Sequence, residues 1–234
     1  VCSECANAYT INADLKNIDM DTVLAESYTI VGSPEIPENI PGFLQTLKNV
    51  LTPEECTAII AIAETQGFVP ASIYTDVGGR EHFSDTRKSS RCIVDSHEFV
   101  KRLWTRLAPF VPPTWKGATC VGLNERLRIL RYDPGDEFKP HSDGAYTAPT
   151  GAISKITILI YLNEGYKGGY THFLKEDGSW LAIEPHVGSV AMQDQALVHG
   201  VPPLESGRKY AIRTEVMYMP QYTVGTVKEF TVIL

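Results

Sequence analysis

The chain is short of the features that mark membrane, nucleic-acid-binding and disulfide-stapled proteins. No apolar run approaches the roughly 20 residues that span a bilayer. The opening stretch VCSECANAYTINADLKN has neither a basic start nor a continuous apolar segment, so no secretory leader is read there. The first residue is Val, which leaves a trimmed start open. Positive charge is also in deficit. Lys and Arg number 21 against 28 Asp and Glu, a net charge of −7. Nucleic-acid binding relies on cations that neutralise phosphates, so no nucleic-acid partner and no membrane partner is expected. A small molecule or a peptide fits better. Cysteines number five (Cys2, Cys5, Cys56, Cys92, Cys120), odd in count and scattered in position. That is no disulfide framework, and a reducing, cytoplasmic setting is expected. Cys2 and Cys5 form a Cys-x-x-Cys without the second pair of ligands that a structural zinc site needs. Internal repeats and low-complexity stretches are absent.

What is present is a chain of 234 residues, enough for one domain with a sizeable core. Residues 1–42 contain the turn-rich stretch GSPEIPENIPG and read as an N-terminal extension, with a single catalytic domain over 43–234. LTPEECTAIIAIAETQG has the punctuation of a helix: Thr52 as cap, Pro53 at the first position, acids in the first turn, Gly67 at the end. The polar VGGREHFSDTRKSSR (77–91) reads as a loop and a candidate lid. A second helix is expected to be capped by Asp95 or Ser96, with Phe99, Leu103 and Leu107 on its buried face and Pro109 stopping it. After residue 120 the pattern turns to short β-type runs: 122–132, 155–163, 169–174, 188–193 and 209–219. Helices first and strands later point to a mainly β sandwich or barrel with helices packed outside it.

Within YDPGDEFKPHSDG, His141 and Asp143 sit one residue apart after a Pro-Gly turn. Taken alone, HSDG is better read as a turn whose Asp side chain bonds local backbone. His199 changes the balance. It follows a strand-like run 56 residues beyond Asp143. Two imidazoles and one carboxylate on one face of a metal leave open positions, the arrangement suited to Fe(II) binding a co-substrate and O2 together. In SGRKYAIRTEVMY, Lys209 and Arg213 share strand parity. If they point inward they need anions. The other reading puts Tyr210, Ile212 and Val216 inside instead.

RYDPGDEFKPHSDG, KITILIYLNE, GGYTHF, HVGSVAM, LVHG and SGRKYAIR occur in this order. In these elements the chain resembles the Fe(II)- and 2-oxoglutarate-dependent dioxygenases, in particular their prolyl 4-hydroxylase-like branch. The resemblance implies a double-stranded β-helix, a jelly-roll core braced by N-terminal helices. It implies His141, Asp143 and His199 as iron ligands, Lys209 against the distal carboxylate of 2-oxoglutarate, and Tyr132, Thr157 and, more weakly, Tyr161 as hydroxyls near that co-substrate. Arg213 stands about where other branches place an oxoglutarate-binding arginine, so it competes with Lys209. Arg128 shares parity with Tyr132 and is read either as a substrate-carboxylate or peptide-carbonyl ligand, or as a salt-bridge partner at the strand surface.

The activity implied is hydroxylation of an unactivated C–H bond, with O2 consumed and 2-oxoglutarate converted to succinate and CO2. A free amino acid, small metabolite or short peptide is the first substrate reading. Peptidyl proline in a protein is the second. A metal-binding, cupin-like barrel without oxygenase activity is the reading from another class.

Overall fold

The computed structural model describes residues 19–74, 81–82 and 85–221. Cys2 and Cys5 lie outside the described residues, as do positions 77–80 and 83–84 of the expected lid. Two antiparallel sheets form the core, the jelly-roll arrangement. The larger runs in the order Leu44–Leu47, Val190–Asp194, Ile153–Tyr161, Lys209–Pro220, Arg126–Tyr132, Ser90–Asp95, Val69–Pro70. Ala118–Leu123 also pairs with the far half of Lys209–Pro220. The smaller sheet runs Trp180–Ile183, Thr171–Leu174, His199–Val201, Glu137–His141, Arg87–Lys88.

The helices cover the outer face of the larger sheet. Helix Pro53–Gln66 forms where the local signals place it. The Thr52 hydroxyl accepts from the Glu55 amide, the Glu55 carboxylate accepts from the Thr52 amide, and Gly67 ends the run at φ 92°. Helix His97–Leu107 is capped by Ser96, and Phe99, Leu103 and Leu107 are fully buried. These side chains pack with Ile129, Ile158, Ile160 and Ile212 of the sheet in one apolar cluster. Residues 19–25 join them. Met20 and Leu24 are buried in the same cluster, and the Ala25 amide donates to Glu55 Oε1. Glu55 in turn meets Arg106 through two 2.7 Å contacts.

Alternation along each central strand separates two environments. On Lys209–Pro220, Tyr210, Ile212, Val216 and Tyr218 enter the apolar cluster. Lys209, Ala211, Arg213 and Glu215 face the opposite way, into a cavity between the sheets. The sequence left a choice between polar and apolar residues inside, and both faces prove to be covered. The run 122–132 is two strands, Ala118–Leu123 and Arg126–Tyr132, broken at Asn124, whose amide and side chain bond Glu215. The end of the expected 77–91 loop is strand as well. Arg87–Lys88 pairs with Glu137–Phe138, and Ser90–Asp95 pairs with Arg126–Arg131.

Candidate active site

The cavity between the sheets has a volume of about 710 Å³, and both sheets line it. His141 ends the strand Glu137–His141 and lies directly opposite His199 on the neighbouring strand. A bulge between Phe138 and His141 sets that pairing. Asp143 sits two residues past the strand end, its amide bonded to the Gln195 carbonyl. One ligand atom from each of the three side chains falls within 4.8 Å of the others. His141 Nε2 is 3.9 Å and His199 Nε2 3.8 Å from the Asp143 carboxylate.

Both histidines are oriented through their other nitrogen. His141 Nδ1 is 2.8 Å from the Lys139 carbonyl, and His199 Nδ1 is 3.0 Å from the Leu197 carbonyl. Donation there leaves each Nε2 lone pair facing the carboxylate, the tautomer that a metal ligand needs. Burial, followed by the nearness of His199, pushes His141 down to about 4, so it is neutral at physiological pH. Burial alone would raise Asp143. The Arg213 guanidinium, His199 and the Thr157 hydroxyl outweigh it and hold the carboxyl below its ordinary range. Two imidazole nitrogens beside an ionised carboxylate are the donor set of a divalent cation, and these residues fit ferrous iron.

Lys209 lies farther in. It is 1% exposed and donates to the Gly169 carbonyl at 2.7 Å, with Thr171 Oγ1 at 3.4 Å. Its ammonium sits 5.3 Å from the Tyr132 ring centre and 5.7 Å from that of Tyr161. No carboxylate among the described residues pairs with it. Burial lowers it from 10.5 to about 7. A buried ammonium facing a cavity without a counter-ion fits the free carboxylate of a dianionic co-substrate.

The remaining expected residues divide differently. The Thr157 hydroxyl, expected near the co-substrate, donates to Asp143 Oδ2 at 2.6 Å. Arg213 is engaged by protein carboxylates, Asp143 Oδ1 at 3.0 Å and Glu215 Oε1 at 2.6 Å. Arg128 also meets Glu215, at 3.0 Å. It is thus a salt-bridge partner on the cavity wall rather than at an outer strand surface. Three residues at the site escaped the sequence reading. Glu215 joins the two arginines and has the parity of Lys209 and Arg213, a signal that was available. Gln193 is cross-strand from Thr157, and its amide nitrogen is 3.0 and 3.2 Å from the two ring nitrogens of His199. Arg87 lay in a stretch too polar to suggest a strand.

The family model of the 2OG-Fe(II) oxygenase superfamily matches residues 127–214, which hold all three clustered side chains and Lys209. Over this segment the chain is similar to that superfamily. Prolyl 4-hydroxylase 1 of Arabidopsis thaliana is 27% identical over 206 residues, 76% of this chain and 69% of that one. Probable prolyl 4-hydroxylase 3 of the same plant is 24% identical over 208 residues, covering 75% and 69%. Among solved structures, a viral collagen prolyl hydroxylase from Paramecium Bursaria Chlorella virus-1, in complex with 2-oxoglutarate, aligns at TM-score 0.55 and 19% identity. It covers 76% of this chain and 97% of that one. A Trichoplax adhaerens prolyl hydroxylase in complex with a hypoxia inducible factor peptide fragment aligns at TM-score 0.59 and 14% identity, covering 75% and 84%. The oxygenase is therefore prolyl 4-hydroxylase-like, and Fe(II), 2-oxoglutarate and O2 are its cofactor and co-substrates. The cupin-like, non-oxygenase reading is set aside. No helix among the described residues of this oxygenase is long and apolar enough to cross a membrane.

Proposed function

We propose that this oxygenase hydroxylates proline within a peptide, with His141, Asp143 and His199 as iron ligands and Lys209 as the anchor of 2-oxoglutarate. The observation that carries the cofactor assignment is the ammonium of Lys209, which no carboxylate among the described residues pairs with, in the same cavity as the clustered triad. Arg213 is the weaker candidate for that anchor because two protein carboxylates already engage it. The relatives support peptidyl proline over a free amino acid or small metabolite.

Bound iron and 2-oxoglutarate supply the oxidising chemistry for a C–H bond, with succinate and CO2 as by-products. The chain's own residues supply position. Lys209 holds the far carboxylate, and the Tyr132 and Tyr161 rings confine the ammonium. Thr157 and Arg213 each hold one oxygen of Asp143, which fixes the carboxylate plane before metal arrives. Gln193 packs on His199 and restrains its ring. Orientation of this kind, rather than proton transfer, is the protein's contribution.

The test combines binding and turnover. Asp143→Ala loses Fe(II) in equilibrium dialysis, Lys209→Met loses 2-oxoglutarate but keeps Fe(II), and the wild type forms succinate and hydroxyproline in equal amounts on a proline-containing peptide. Retention of 2-oxoglutarate by Lys209→Met, with its loss in Arg213→Met, would reassign the anchor. Succinate without hydroxyproline on any proline peptide would overturn the substrate reading.

A further inference from the structure

The cavity walls are far more positive than the chain as a whole. Among the described residues six cationic side chains line the cavity: Arg87, Arg91, Arg126, Arg128, Lys209 and Arg213. Among the described residues only two carboxylates, Asp143 and Glu215, line it with them, in a protein of net charge −7. Loading the site leaves this imbalance in place, because the charge of ferrous ion is cancelled by the dianionic co-substrate.

The cations are not equally satisfied. Arg126 is matched by Asp95 on the adjoining strand, at 2.9 and 2.8 Å. Lys209 is taken by the co-substrate in the reading above. Arg128 and Arg213 divide one buried carboxylate, Glu215, between them, and the other partner of Arg213 is Asp143, a proposed iron ligand. Arg87 has no carboxylate partner among the described residues. Its contacts are the Ser89 hydroxyl at 3.0 Å and the face of the Phe138 ring at 4.8 Å. Phe138 is itself stacked on His141 at 3.6 Å between ring centres, so Arg87 stands one ring away from a metal-ligand candidate. Burial and the positive charges of Arg213 and Arg91 all oppose the charged form of Arg87, while Tyr132 and Asp143 favour it.

We infer that the substrate is anionic, and that it brings a carboxylate into the cavity against the arginine wall of Arg87, Arg128 and Arg213. This rests on the prolyl reading for the identity of the reacting group and adds what must accompany it. Two sources supply the same chemistry: an acidic side chain beside the target proline in a peptide, or the carboxylate of free proline. The peptide source is favoured by the relatives. An arginine freed of protein carboxylates and fixed on an aromatic face is pre-set to pair with a carboxylate, and a matched pair in a partly desolvated site raises affinity about tenfold or more.

The experiment is anaerobic calorimetry on the chain loaded with Mn(II) in place of Fe(II) and with 2-oxoglutarate, so that binding is read without turnover. Two pairs of ligands are compared: otherwise identical proline peptides carrying Glu or Gln next to the proline, and free proline against prolinamide. The Glu peptide is expected to bind about tenfold more tightly than the Gln peptide, with the advantage shrinking as salt is raised. Arg87→Gln is expected to collapse the Glu-to-Gln ratio towards one, and the salt series on the wild type answers the question even if that variant folds poorly. Preference for free proline over prolinamide, with no preference between the peptides, upholds the anionic site and overturns the peptide reading. Equal binding within both pairs overturns the inference. If the Gln peptide is then still hydroxylated, the proposed function stands without it. Absence of binding by all four compounds overturns both.

Discussion

Replacing Lys209 with methionine isolates the energetic cost of a buried, unpaired ammonium. Burial takes the folded-state value from 10.5 to about 7. Between those limits the unfolded chain holds the proton and the folded chain does not. Stability therefore rises with pH across the window and is lowest below about pH 7, where the charged form must be buried. Each unit corresponds to about 1.4 kcal/mol, so the full gap is worth about 5 kcal/mol and the span from pH 7 to about pH 8.5 contributes about 2 kcal/mol. Urea unfolding of the metal-free protein without 2-oxoglutarate, at the two ends of that narrower span, reads this directly. Wild type is expected to gain about 2 kcal/mol more than Lys209→Met on the same pH step, because every other titrating group is common to both proteins. Adding 2-oxoglutarate returns a counter-ion to the ammonium. At pH above about 7 the wild type then takes up a proton on binding, visible as a heat that depends on the ionisation enthalpy of the buffer. Equal pH steps in the two proteins, or binding heats independent of the buffer, would refute the claim that this lysine is buried without an anion.

Two further perturbations test the frame around the site. Glu55→Gln breaks a carboxylate pairing that leaves the Arg106 guanidinium buried at 1% side-chain exposure, and a loss of about 3–5 kcal/mol in urea unfolding is expected. The same Glu55 also holds the Ala25 amide, so limited proteolysis near residue 25 should accelerate in this variant. At Gly188 the backbone lies at φ +72°, and an added Cβ would stand 2.0 Å from the Leu51 carbonyl oxygen. Gly188→Ala is expected to cost about 2–4 kcal/mol by the same measurement, and a neutral result would show that the 50–51 segment moves freely.

How far the sequence carried depends on whether a feature is written locally. Helix Pro53–Gln66 was legible because Thr52, Pro53, Glu55 and Gly67 each act within one turn of their own position. The three clustered side chains were legible through motif order, since His141 and Asp143 are neighbours in the chain and His199 follows a strand-like run. The strand Leu44–Leu47 was not, because four residues carry little pattern and their partner, Val190–Asp194, lies far along the chain. The break at Asn124 was hidden for a related reason. It is stabilised by Glu215, which only the fold brings alongside. Thr157 was placed in the right cavity with a different partner. Parity says which way a hydroxyl points, and the distance to Asp143 decides what it bonds. Arg87 shows the limit most plainly, since a two-residue strand among polar neighbours has no alternation to read.

The strand Lys209–Pro220 has a consequence for how such a chain can diverge. One side of it is welded to the helices and the other furnishes the reaction chamber, so a single inserted or deleted residue exchanges every tenant at a stroke. Tyrosine and isoleucine would then confront the co-substrate while lysine, arginine and glutamate would be driven among the isoleucines. Changes of length near this strand can accumulate only outside it, and new substrate preferences must arise by substitution on the chamber side, one alternate position at a time.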